Sequence, residues 1–368
     1  MKMNPPFRAE HIGSLLRPTQ LIEGHRAFAN GAIDEAEFRA IQDTCIRDVV
    51  HLQEDIGLES ITDGEFRRGS YWSHFIKGVE GFTVRDALHT FRDEQGNELK
   101  FTAPHTEGKL RNKGGISTAE FQFLKSATKR TPKITMPSPP TMHFWRGRKG
   151  VSPEAYPDLD QFFQDLTNVY REEIAHLAGV GARYIQMDDV PFAMLCDTNV
   201  REQLHRDGED ATALINRYIR LINDSLQGIS PEMTVGLHIC RGNYKGKWLS
   251  KGGYDAFADQ LFNSLNVDVF FLEYDSPRAG GFSVLKYLPK NKRAVLGLVS
   301  SKKPALESGA DLKHRIEEAS RFASLERLSI SPQCGFASTV AGNPLKVNDE
   351  EKKLRLVVET ARDVWGQT

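Results

Sequence analysis

The chain has little of several things. Four cysteines in 368 residues are too few for a disulfide scaffold, which predicts free thiols in a reducing cytoplasm. No apolar run approaches the roughly 18 residues of a membrane span. The first residues, MKMNPPFRAE, lack an apolar core, so no secretory signal is predicted. Lys plus Arg is 48 against 49 Asp plus Glu, a net charge of −1. Basic runs are short (Arg146 to Lys149, Lys290 to Arg293), and no basic stripe faces a nucleic-acid backbone. Internal repeats and low-complexity tracts are also missing. A chain of this length still buries a large core without staples.

What is present is alternation. Helical periodicity recurs at Asp34–Ile56, Asp158–Leu177, Asp210–Leu226, Tyr254–Leu265, Leu312–Ala323 and Asp349–Trp365. Eight short apolar runs are predicted as strands: Phe7–Ile12, Glu59–Thr62, Lys133–Met136, Arg183–Met187, Met233–Leu237, Val269–Leu272, Ala294–Val299 and Arg327–Ile330. Short runs without strict alternation suit strands buried on both faces. The pattern predicts one α/β domain over residues 1–368, a (β/α)8 TIM barrel. Residues 66–131 are too long for an ordinary loop and are predicted as a rim insertion after the second strand, a hairpin plus a helix at Thr118–Ala127.

Polar residues gather where the predicted strands end, and in such barrels the site lies on that face. His238 and Cys240 are two apart, so on an extended segment both face one side. Cys334 follows the eighth strand and Glu273 the sixth. Imidazole, two thiolates and a carboxylate suit tetrahedral Zn2+. Each alone has a bland reading; free cysteines are usually simply buried, which is the reading for Cys45. Ligands on three strands favour a catalytic ion over a structural one. Arg17, Arg67, Arg68 and Lys302 read either as binders of an anionic donor or as solvated rim charges.

These residues, in this order, resemble the C-terminal catalytic barrel of the cobalamin-independent methionine synthase family, in its stand-alone bacterial branch. The likeness is densest at Leu237–Asn243, Phe271–Ser276 and Ser331–Phe336, and includes Phe7–Pro18 and Thr62–Arg68. The resemblance implies zinc on His238, Cys240, Glu273 and Cys334. It implies that Ile12, Gly13 and Ser14 meet the homocysteine carboxylate, and that Glu65 and Asp188 meet its ammonium. It places Trp145 against the ring of a folate donor; the competing reading is a rim aromatic packed under the insertion.

Two departures stand out. The chain has no room for the second barrel that helps to hold polyglutamyl folate. Lys302 occupies the position of the family's proton-donating histidine, and a lysine serves as an acid at neutral pH only if burial lowers its pKa. The expected reaction is methyl transfer to homocysteine, giving methionine, from 5-methyltetrahydrofolate or a related donor. Competing expectations are alkyl transfer to another thiol of the coenzyme M type, a non-folate donor such as a methylated corrinoid protein, a metal-binding barrel without turnover, and a uroporphyrinogen-decarboxylase-like barrel. Partners are small molecules, with no nucleic acid and no membrane expected.

Overall fold

The computed structural model describes residues 5–93 and 95–368. Ten strands are present among them: β1 (Ser60–Ile61), β2 (Val79–Arg92), β3 (Glu98–Asn112), β4 (Thr131–Pro132), β5 (Ile134–Pro137), β6 (Tyr184–Asp189), β7 (Thr234–Ile239), β8 (Val269–Glu273), β9 (Arg293–Val299) and β10 (Leu328–Pro332). Strands β5 to β10 form one parallel sheet in sequential order. Helices join these strands, as parallel neighbours require. Every residue of β5, β6, β8 and β10 is buried, which explains why their sequences run apolar without alternating.

The helices start where side chains can cap them. Asp34 accepts from the Glu37 amide, and Glu37 answers to the Asp34 amide, opening helix Glu35–Ile56. That helix ends at Gly57, whose φ of 101° is a left-handed stop. Asp158 and Asp210 cap Leu159–Gly179 and Ala211–Ser225 by accepting from the Asp160 and Thr212 amides.

The run Phe7–Ile12 differs from its expected strand. It makes one bridge, Ala9 to Ile330, with hydrogen bonds of 2.9 Å from the Glu10 amide to Ile330 and from the Ile330 amide to Arg8. Toward β1 it is tied through side chains instead of a ladder. Ser60 Oγ donates to Glu10 Oε2 at 2.8 Å, and Thr62 Oγ1 donates to the Gly13 carbonyl at 2.7 Å. Polar Glu10 and His11 point inward here and take up the bonding a strand would offer. Glu10 also pairs with Lys133 at 3.1 Å, both wholly buried, and accepts from Tyr184. β1 pairs in parallel with β4, which leads straight into β5.

Between β1 and β4 lie helix Ser73–Lys77, the antiparallel β2–β3 hairpin and helix Thr118–Ala127. The hairpin leans on the chain beyond β5 and β7. Leu88 donates to Trp145, and Arg92 and Trp248 exchange backbone bonds of 2.8 and 2.9 Å. Among the described residues, no helix is long and apolar enough to cross a membrane.

Candidate active site

The C-terminal ends of the sheet strands carry the chemistry. β7 delivers His238 and runs into Cys240; β8 ends on Glu273; Cys334 follows β10. One ligand atom from each lies within 4.8 Å of every other, and all four residues are buried. The Cys240 and Cys334 sulfurs are 3.5 Å apart. Both His238 ring nitrogens and Glu273 Oε2 lack a hydrogen-bond partner. A buried polar atom left bare costs about 1–3 kcal/mol, so these atoms are arranged for something else to meet them. Nitrogen, oxygen and two sulfurs converging at this range fit a zinc ion. Glu273 is steadied by the Arg241 amide, which donates to Oε1 at 2.8 Å.

The two thiols titrate as a pair. The hydrogen bond from Cys240 pulls the Cys334 thiol well below its ordinary value against the effect of burial, with His238 and Lys302 adding to the pull. The same sharing, with burial, pushes Cys240 up.

Beside the cluster lies a cavity of about 650 Å³. Ile12, Ser14, Glu65 and Asp188 line it together with His238, Cys240 and Cys334. Residues from positions 12, 65, 188 and 238 thus meet in one hollow. Burial, with Glu65 adding to it, pushes the Asp188 carboxyl up to about 7, while His238 and Gln186 oppose the rise. Gly13 shapes the hollow without lining it. Its φ is +134°, and a Cβ there would sit 2.6 Å from Thr135 Cγ2. Glu65 is held at φ +61°, a left-handed conformation rare for a residue with a side chain. Asp63 Oδ1 accepts from the Glu65 amide at 2.9 Å, and Arg17 donates to its carbonyl at 2.9 Å. Strain held this firmly marks a position where side-chain direction matters.

The upper wall is aromatic: Tyr71, Trp72, Phe91, Phe101, Trp145 and Tyr244. Sequence reasoning found only Trp145 among these. Phe91 and Phe101 lie on β2 and β3, so the hairpin's path brings them here, whereas Tyr71 and Trp72 precede helix Ser73–Lys77 and Tyr244 follows β7. Trp145 is both a cavity wall and packed under the hairpin, edge-on to Phe101 at 5.1 Å.

The four basic residues are placed as follows. Arg17 and Arg68 are neither rim charges nor donor binders; each is buried and bonded to protein oxygens. Arg67 pairs with Asp43 at 2.5 Å. Lys302 lies behind the cluster, not in the cavity wall. Its ammonium is 3.9 Å from Glu273 Oε2, beside a second cavity of about 430 Å³ that Asp275 and Ser300 also line. Burial alone would lower its pKa, as expected from the sequence, but Glu273 and Asp275 outweigh burial and raise it.

The family described as cobalamin-independent synthase, catalytic domain, matches residues 7–363. YxjH of Bacillus subtilis, an uncharacterised protein, is 38% identical over 368 residues, covering 98% of this chain and 95% of its own. A methionine synthase of Pyrococcus horikoshii is 28% identical over 327 residues, 88% of this chain and 85% of its own. A solved Listeria monocytogenes structure, provisionally described as a vitamin-B12-independent methionine synthase, superposes with a TM-score of 0.77 at 32% identity, covering all of both chains. A B12-independent methionine synthase from Shewanella shares the fold, with a TM-score of 0.75 at 19% identity over 98% of each chain. The chain therefore belongs to the catalytic-domain family of the cobalamin-independent methionine synthases, and is with them a methyltransferase.

Proposed function

We propose that this protein moves a methyl group onto the thiol of homocysteine, giving methionine, with 5-methyltetrahydrofolate or a related compound as donor. One observation carries the reading. A four-donor cluster borders a cavity that also presents Glu65 and Asp188. Two carboxylates beside a thiol-binding centre suit an acceptor that is both a thiol and an amine. The proposal includes a closed (β/α)8 barrel, in which Phe7–Ile12 and β1 complete the circuit, with residues 66–131 inserted on its rim.

His238, Cys240, Glu273 and Cys334 would hold the zinc. A zinc ion there stabilises a bound thiol as thiolate at neutral pH. The chain's own residues do the rest. Glu65 Oε2 and Asp188 receive the acceptor's ammonium. Ser14, with the backbone of Ile12 and Gly13, receives its carboxylate. The aromatic wall, Trp145 included, excludes water and holds the flat part of the donor. Lys302 acts through Glu273, its ammonium competing for the Oε2 lone pairs. Positioning of this kind is a large part of what a two-substrate transfer requires.

An acceptor without an amine, of the coenzyme M type, leaves Glu65 Oε2 unmet and gives Asp188 no cation, which favours homocysteine. A methylated corrinoid protein stays the alternative donor. The proposed compartment is a reducing cytoplasm, where four free cysteines persist.

The test is methionine formation, by mass spectrometry, from homocysteine and mono- or triglutamyl 5-methyltetrahydrofolate with zinc-loaded protein. Methionine that depends on Cys240 is the expected result. Homocysteine binding without methionine moves the search to another donor. No homocysteine binding overturns the reading.

A further inference from the structure

We infer that Thr135, Arg68 and Glu120 form a positioning chain that turns one oxygen of Glu65 toward the acceptor's ammonium and keeps Arg68 from taking that place. The inference rests on the reading of Glu65 as an ammonium acceptor.

The bonds are ordered. Arg68 is 2% exposed. Its Nη1 donates to Thr135 Oγ1 at 2.9 Å, and Thr135 Oγ1 donates to Glu65 Oε1 at 2.8 Å. A guanidinium only donates, and a hydroxyl has one hydrogen. Thr135 must therefore accept from Arg68, and its hydrogen goes to Glu65. Oε1 is thereby occupied. Glu65 Oε2 is buried and has no partner, on a residue that lines the cavity.

Glu120 supplies the restraint. It sits on helix Thr118–Ala127, and its Oε2 accepts from Arg68 Nη2 at 3.1 Å and Nε at 3.3 Å. Arg68 Nη1 stands 3.8 Å from Glu65 Oε1. A small swing would close that gap into a direct pair, and a buried Arg–carboxylate pair is a strong contact. Glu120 draws the guanidinium the other way, so Glu65 keeps its charge for a cation from outside. In this arrangement Arg68 is a donor held back and Glu120 a competing carboxylate. Neither touches the substrate; both are positioning residues.

The test measures binding of homocysteine and of 4-mercaptobutyrate, the same molecule without its amine, by calorimetry on zinc-loaded protein. The variants are Thr135→Val, Thr135→Ser, Glu120→Gln and Glu65→Gln. Thr135→Val keeps the shape and removes the hydroxyl. Glu120→Gln keeps the shape and frees Arg68 to fall on Glu65. Each is expected to weaken homocysteine about tenfold, the loss of one charge-assisted contact, and to leave 4-mercaptobutyrate unchanged. Thr135→Ser restores homocysteine binding. If Glu65→Gln weakens homocysteine while Thr135→Val and Glu120→Gln do not, the positioning chain is wrong and Glu65 stands. If both ligands weaken equally in these two variants, their role is only structural and the inference fails. If Glu65→Gln binds homocysteine like the wild type, the reading of Glu65 falls and the inference with it.

Discussion

Replacing Gly335 with alanine probes the junction between the four-donor cluster and the cavity beside it. A Cβ at Gly335 would lie 1.9 Å from Ser14 Oγ, 3.1 Å from Ser14 Cβ and 3.2 Å from the Ser14 carbonyl oxygen. The first contact is impossible and is the main clash, forcing Ser14 Oγ out of its place. The other two are tight by only a few tenths of an ångström. The loop from Cys334 to Phe336 would have to shift, and the Phe336 amide bonds back to Ser14 at 2.9 Å. Overpacking of this size costs about 1–3 kcal/mol. Ser14→Ala removes Oγ but keeps Cβ, so most of the strain should vanish in the double variant. The assay is a double-mutant cycle on urea midpoints of zinc-loaded protein, with homocysteine affinity beside it. Gly335→Ala should destabilise and weaken homocysteine binding as the Ser14 hydroxyl turns out of the cavity. In the Ser14→Ala background its stability cost should drop, giving a coupling of about 1 kcal/mol or more. Strictly additive costs would refute the reasoning, because the strain would then not lie at Ser14 Oγ.

Three other outcomes are expected. Glu350 is buried with its Oε2 accepting from the Leu16 amide at 2.8 Å, and burial pushes its carboxyl from 4.5 up to about 8. The folded state then favours the acid form, so its contribution is full below pH 4.5 and is lost as pH rises toward 8. Glu350→Gln cannot ionise and should gain on the wild type over that window, by at most about 4–5 kcal/mol; equal differences in urea midpoint at pH 6 and pH 9 would count against this. Lys133→Met removes the ion-pair partner of the buried Glu10, which should cost about 3–5 kcal/mol. Adding Glu10→Gln should return much of it in thermal melts. Gently purified protein should carry about one zinc per chain by elemental analysis, as a four-ligand site of this type requires, and Cys240→Ser and Cys334→Ser should each lose it.

Reading the sequence singled out the four donors that the fold brings together because their signals are local. His238 and Cys240 share a face at strand spacing, and Glu273 and Cys334 fall just past apolar runs. The sheet strands β5 to β10 were legible for the same reason. Two things were not. Phe7–Ile12 reads as a strand, yet its inward Glu10 takes the Ser60 hydroxyl and its His11 ring meets the Ser60 carbonyl, contacts that stand where a ladder would. Tyr254–Leu265 has helical period, but the helix begins only at Ala258, after a turn that no capping side chain marks. The aromatic wall and the Thr135–Arg68–Glu120 chain depend on tertiary placement. Thr135 reads as an ordinary strand residue, and Arg68 as a surface charge, until the fold surrounds them.

The spacing of the four cluster residues along the chain sets when the centre can form during synthesis. Residues 238 and 240 leave the ribosome together, residue 273 later, and residue 334 later still. Until the strands that carry them have paired, these donors are a loose imidazole and thiol on an unfinished sheet. A structural metal can nucleate a small fold, but these four donors converge only once most of the chain has been made. A metal held by them would therefore load late, after the thiols had spent that interval without it.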